Sequence, residues 1–267
     1  MSSETSIPPG LTKGIDLLES GDPAGACRLI RQYLAENPQD PDAHFYLGDA
    51  LADSGNLAEA IEAYKSGLKI TPDDPDALTT LGDLQFEAGQ HLEAMACYRK
   101  VLAIDPDDAD ALVSMGLVSN AQEKGEDAAS FFRQAIEKEP ENLFAWNALG
   151  DLYYGQGKHQ EAIEAYEKGI EIDPDDPVAH HNLGELLYDM EEYEQAEEFC
   201  LNAVKLDPDF SMAYLTLGGI CMDQDRMADA LKYYEKYIRL ENSTQAEEML
   251  AEVKAVVEGL KEELGQK

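Results

Sequence analysis

The sequence predicts an all-α protein in which antiparallel helix hairpins stack in one dimension, a solenoid with no single central core. Three columns of residues carry that prediction. Glycine recurs at Gly14, Gly48, Gly82, Gly116, Gly150, Gly184 and Gly218, each step 34 residues. Alanine follows with the same step at Ala26, Ala60, Ala94, Ala128, Ala162, Ala196 and Ala230. Proline follows at Pro38, Pro72, Pro106, Pro140, Pro174 and Pro208. Three columns in one register over most of the chain define an internal repeat.

Each column has a physical part. The glycine and alanine columns put small residues where two antiparallel helices approach closely. Between them lie turn glycines at Gly21, Gly55, Gly89 and Gly157, so each unit reads as helix, tight turn, helix. Apolar residues recur at helical spacing: Leu47 and Leu51 in one helix, then Ile61, Tyr64 and Leu68 in the next. The same pattern returns at Leu149 and Tyr153, then Ile163, Tyr166 and Ile170. The proline column ends the second helix, because proline cannot continue it. Two residues on stand Asp40, Asp74, Asp108, Asn142 and Asp176, good N-caps for the next first helix. Pro41, Pro75 and Pro177 follow at the first helical position, where a missing N–H costs nothing. In the unit over 109–142 the turn glycine is displaced to Gly125, which predicts a different turn there. Glu191 and Asp225 occupy the turn position in the two units that follow 143–176, and Asn242 replaces the last proline.

The segment Trp146-Asn147-Ala148-Leu149-Gly150-Asp151-Leu152-Tyr153, followed by Ala162, Tyr166 and Pro174, closely resembles the tetratricopeptide (TPR) consensus. The resemblance covers almost the whole chain. It implies a right-handed α-α superhelix whose first helices line a concave groove that holds partner segments. Six repeats are read at 41–74, 75–108, 109–142, 143–176, 177–210 and 211–244. A degenerate first repeat is read over 10–40, behind a flexible tail over 1–9 that ends in a Pro8-Pro9-Gly10 stop. A capping helix over 245–264 is expected to hide the last apolar face. Thr244 with Glu247 forms its capping-box pattern, and Ala246, Met249, Leu250, Val253, Val257, Leu260 and Leu264 share one face.

Composition narrows the partners. The chain carries 55 Asp and Glu against 20 Lys and Arg, a formal net charge of −35. Such a surface repels nucleic-acid phosphate and anionic lipid, so no nucleic acid is expected as a partner. No stretch reaches the ~18 apolar residues of a membrane span, and no insertion is expected. The first ten residues lack the basic and apolar regions of a secretory signal. Cys27, Cys97, Cys200 and Cys221 form no CxxC pair and read as buried free thiols of a reducing, cytoplasmic compartment.

The sequence offers little chemistry. No GxxxxGK[ST], GxGxxG or HExxH motif is present. His44 and His180 share a column with Trp146 and Tyr214 and read as packed side chains. His91 and His159 open second helices and are expected to be exposed. The acidic run Asp105, Asp107, Asp108, Asp110 does not fit an EF-hand loop, whose sixth and twelfth places hold Asp110 and Gly116 here. No metal, no cofactor and no catalytic residue is expected, and the chain is read as a non-enzyme.

Matching columns to the TPR groove assigns a partner-binding set of Phe45, Asp49, Asp53, Asp83, Phe86, Glu87, Asn147, Asp151, Tyr154, His181, Asn182, Glu185, Tyr188 and Asp189. These recur at helical spacing and form one stripe per helix, acidic and interleaved with aromatic rings. Acid and aromatic faces suit Lys- or Arg-rich protein segments through ion pairing and cation–π contact. They do not suit the carboxylate tails held by TPR modules with Lys, Asn and Arg in the groove. The leading expectation is a protein–protein scaffold or adaptor. Two alternatives are a dedicated chaperone for a secreted or assembling client and a scaffold that assembles with copies of itself.

Overall fold

The computed structural model describes residues 8–241 and 246–265. It divides into two compact units, Met1–Pro140 and Glu141–Lys267. The expected tail up to residue 7, Asn242 and the capping-box threonine Thr244 lie outside the described residues.

The first unit holds four hairpins: α1 (Pro9–Glu19) with α2 (Pro23–Glu36), α3 (Pro41–Asp53) with α4 (Leu57–Leu68), α5 (Pro75–Glu87) with α6 (His91–Ile104), and α7 (Ala109–Ala121) with α8 (Gly125–Lys138). The second holds α9 (Leu143–Gly155) with α10 (His159–Ile172), α11 (Pro177–Asp189) with α12 (Tyr193–Leu206), α13 (Ser211–Asp223) with α14 (Met227–Leu240), and then α15 (Glu247–Glu263). Within each unit, the second helix of one hairpin also packs on the first helix of the next. Pro9 opens α1 at its first turn instead of stopping the chain, as a residue without an N–H can.

Five of the seven column glycines seat a ring, and Gly14 and Gly184 admit Ile30 and Cys200 instead. A Cβ on Gly48 would lie 2.4 Å from Tyr64 Cδ2, and one on Gly150 would lie 2.5 Å from Tyr166 Cε1. Gly82, Gly116 and Gly218 receive Tyr98, Phe132 and Tyr234 in the same way. The ring comes from the second helix, two turns past the hairpin, and fills the space a side chain would take. All seven alanines of the alanine column are completely buried. Leu11, Ile30, Ile61, Tyr64 and Leu84 belong to one continuous core through the first three hairpins. In the second unit, Val253, Val257 and Leu260 of α15 cover Leu231, Tyr234 and Tyr237 of α14. Leu250 and Leu264 pack at the edge of that core, whereas Met249 stays largely exposed.

Each predicted N-cap is made. The Asp40, Asp74, Asp108, Asn142 and Asp176 carboxylate or amide oxygens accept from the backbone N–H three residues on, at 2.7–3.3 Å. Every hairpin turn closes with one paired motif at the end of its first helix. The N–H of Asn56 donates to Leu51 O and that of Gly55 to Ala52 O, both at 2.8 Å, with Gly55 left-handed at φ 75°. The turn over 109–142 is the same turn. Glu123, not Gly125, takes the left-handed place at φ 60°, and Lys124 and Glu123 donate to Ser119 O and Asn120 O. The displaced glycine misled the sequence reading because Gly125 lies inside α8. Glu191 and Asp225 take the same conformation at φ 61° and 57°.

Candidate functional site

After Gly48, Gly82 and Gly150, the acid one residue on is tied down by the ring that the glycine admits. The Tyr64 hydroxyl donates to Asp49 in a short hydrogen bond. Tyr98 donates to Asp83 and Tyr166 to Asp151, each at 2.7 Å. The seated ring thus ends at the carboxylate one residue past its glycine. The next repeat adds a third member. Thr80 lines the cleft beside Tyr64, and Asn182 donates to Asp151 at 3.4 Å.

Asp83 and Asp151 are exposed and Asp49 is half-buried, yet the surrounding helices remove enough water to raise all three carboxyls from their ordinary value. The tyrosine bond opposes that rise in each case. Glu185 has no tyrosine opposite, since Cys200 fills the place beside Gly184. Its carboxyl is raised by desolvation and then by the nearby Asp189 and Asp151.

In the first unit, Phe45 and Asp49 meet in a cleft of about 240 Å³ lined also by Asp42, Tyr46, Tyr64, Asp74, Asp76, Ala77 and Thr80. Phe45 stacks on Tyr64 with centroids 5.4 Å apart and fills the space beside Gly67. Four carboxylates therefore surround three aromatic rings. Asp74 spends one oxygen on its cap to Ala77. Column matching along first helices did not select Asp42, Asp74, Asp76 or Tyr64. Asp42 and Asp76 stand in the first turns of α3 and α5, Asp74 caps α5 at the junction, and Tyr64 comes from the second helix α4. Asp53 sits one turn past Asp49 and adds to its electrostatic rise. Asp83, Phe86 and Glu87 lie on α5, where Phe86 packs on His91 at 5.6 Å and Glu87 is exposed.

In the second unit, successive first helices are laced together. Tyr154 of α9 donates to Asp189 of α11 in a short bond, and Tyr188 of α11 donates to Asp223 of α13 at 2.9 Å. Asp151, Asn182, Glu185 and Asp189 gather along α9 and α11. Asn147 is turned inward, with its buried Oδ1 beside Gly169. His181 departs from the sequence expectation. It is buried, with a ring nitrogen 3.2 Å from Thr216 Oγ1 and its ring edge-on to Phe210 at 5.2 Å. It belongs to the packing of α11 on α13, and burial lowers its pKa. Its neighbour His180 is packed as expected, with a ring nitrogen 3.0 Å from Pro174 O. His91 and His159 are half-buried, not exposed as expected, each with Nδ1 inside.

Among the described residues no cluster of three or more His, Cys, Asp or Glu has the arrangement of a metal site. No described helix is long and apolar enough to cross a membrane. Cys27, Cys97, Cys200 and Cys221 are buried free thiols, and desolvation pushes Cys200 up to about 12.

Stacked helix hairpins with a glycine at the close approach of each pair define a helical-repeat protein of the kind that binds other proteins. The chain belongs to the tetratricopeptide repeat family. Models described as tetratricopeptide repeat match residues 11–75, 51–115, 131–164, 177–210 and 213–244, and one described as TPR repeat matches 150–191. Proteins of this family bind proteins or peptides and are typically non-catalytic. No curated protein matches the chain in sequence. Among solved structures, it resembles a tetratricopeptide repeat protein from Parabacteroides merdae ATCC 43184 at 20% identity and TM-score 0.74, covering 93% of this chain and 97% of that one. MamA aligns at 25% identity and TM-score 0.55, over 60% of this chain and 94% of its own. A chain of the APC/C hetero-tetramer Cut9-Hcn1 aligns at 12% identity and TM-score 0.66, over 94% of this chain and 50% of that one. The first and third of these likenesses speak for the fold alone.

Proposed function

We propose that the chain is a non-catalytic adaptor that holds a Lys- or Arg-bearing protein segment, with the cleft around Phe45 and Asp49 as its principal contact. The observation that carries this reading is the cleft's composition: Asp42, Asp49, Asp74 and Asp76 around Phe45, Tyr46 and Tyr64. A long cationic side chain can lay its methylenes on the rings and its charged head among the carboxylates. The acids along α9 and α11 extend the same preference. The buried free thiols fit a reducing cytoplasm.

Fluorescence titration with a short Lys- and Arg-rich peptide tests the reading. Combined Asp49→Asn and Asp76→Asn substitution is expected to weaken binding about tenfold, and rising salt to weaken the native chain's binding. Equal affinity of the double variant, or equal binding of a Glu-rich peptide at that cleft, overturns it.

A further inference from the structure

A second cleft, in the second unit, has the opposite chemistry. It encloses about 510 Å³ between Leu201 of α12, Tyr214 of α13 and Tyr233, Lys232, Lys236 and Arg239 of α14. Tyr214 and Tyr233 form its walls, with ring centroids 6.4 Å apart. Lys236 Nζ lies 5.4 Å from the Tyr214 centroid and Lys232 Nζ 5.8 Å from that of Tyr233. The one acid in the lining, Glu235, is engaged from behind by Lys261 of α15 at 2.7 Å. Asp209 approaches Lys236 at only 3.8 Å and is itself highly exposed.

The charge is local to this helix. The three positions of Lys232, Lys236 and Arg239 are Glu198, Asn202 and Lys205 one repeat earlier, and Glu164, Lys168 and Glu171 before that. In α8 they are Ser130, Gln134 and Glu137. The repeat therefore does not require cations here, and a chain of net charge −35 concentrates three of them around two half-buried tyrosines and the exposed Leu201.

From this arrangement we propose that the cleft between α12, α13 and α14 docks an acidic protein segment, one with Asp or Glu flanking an apolar side chain. The apolar side chain seats between Tyr214, Tyr233 and Leu201, and the carboxylates meet Lys232, Lys236 and Arg239. The occupant follows from charge complementarity and from walls too apolar for a bare phosphate. The chain then carries two docking clefts of opposite sign and joins partners of opposite charge.

Fluorescence anisotropy of the full chain with a short labelled peptide of alternating Glu and Leu tests this. Saturable binding is expected, weakened about tenfold or more by combined Lys232→Glu, Lys236→Glu and Arg239→Glu, as reversing charges around a partly desolvated contact does. The milder Lys236→Gln is expected to give a smaller loss in the same direction. Asp49→Asn with Asp76→Asn is expected to leave it unchanged, which separates this cleft from the basic-peptide reading. Absent binding, or equal affinity of the triple variant, overturns the proposal. So do two other outcomes: capture by phosphatidylserine vesicles without peptide binding, which makes the face a lipid contact, and a salt-sensitive dimer in sedimentation that the triple variant abolishes, which makes a second copy the occupant.

Discussion

The Tyr166 hydroxyl donates to Asp151 Oδ1 at 2.7 Å, and the same ring fills the space over Gly150. One side chain thereby packs the hairpin and holds the carboxylate that faces the neighbouring repeat. Where the ring loses its hydroxyl, the acid goes too: Phe132 over Gly116 is matched by Leu117. Tyr166→Phe is expected to cost about 1 kcal/mol, because it removes the shorter of the two hydrogen bonds that Asp151 Oδ1 accepts. Adding Asp151→Leu, the combination found at Leu117 and Phe132, is expected to recover most of the loss. A double-mutant cycle by urea denaturation checks this, and additive effects contradict it.

Gly150→Ala tests the seat itself. Its Cβ would stand 2.5 Å from the Tyr166 ring, which is anchored at both ends and cannot swing away. The expected loss is about 1–3 kcal/mol, the usual cost of overpacking a close-packed site. Gly155→Ala, on the same helix with open space around it, is expected to change stability by no more than a fraction of that or to raise it. Thermal melts of the two variants provide the comparison.

Three hairpins turn on a side chain where their siblings turn on glycine. Glu123, Glu191 and Asp225 hold φ of 60°, 61° and 57°. A left-handed conformation costs a non-glycine residue about 1–2 kcal/mol. Glycine at any of the three is therefore expected to stabilise the chain by about 1 kcal/mol, after the unfolded-state entropy of glycine is subtracted. Denaturant midpoints that fall on Glu123→Gly would show that the Glu123 side chain holds the turn by another means.

The acids that line the first helices make stability depend on pH. Asp49, Asp83, Asp151 and Glu185 have folded-state values raised above 3.8 or 4.5, with desolvation as the leading cause. A raised carboxyl binds its proton more tightly when folded, so the folded state holds more protons in the window between the two values. Stability then rises as pH falls from neutral into that window, and the gain is complete below the unfolded value. Tm is expected to be higher at pH 5 than at pH 7. Glu185→Gln is expected to raise Tm at pH 7 and to reduce that pH dependence. A Tm that falls steadily from pH 7 to pH 5 contradicts this account.

Much of this was legible in residue spacing. The 34-residue columns located the hairpins, the caps at Asp40, Asp74, Asp108, Asn142 and Asp176, and the alanines that vanish into the core. These are local features. A helix cap joins residues three apart, and a hairpin repeats its own contacts, so one dimension is enough to read them. Even the tyrosine–aspartate tie has a signature fifteen residues long, in Asp49 with Tyr64, Asp83 with Tyr98 and Asp151 with Tyr166. The turn at Glu123 was misread because composition stood in for conformation: Gly125 attracted the assignment, while the backbone placed the left-handed residue two positions earlier.

The sites needed the third dimension. Matching columns put His181 in the partner stripe, but the neighbouring helix brings Thr216 and Phe210 over it and buries the ring. The same columns passed over Asp42, which shares α3 with Phe45 and Asp49, and over Asp74 and Asp76, which join that cleft only because consecutive hairpins stack. The basic cleft at Tyr214 and Tyr233 depends on Lys261 of α15 crossing to Glu235. Sequence alone determined the repeat, its helices and its acidic character, since those follow from local spacing and composition. Tertiary structure decided which charges stand together and which are tied or buried, because desolvation and pairing are set by neighbours on other helices, as Thr216 is for His181 and Lys261 for Glu235.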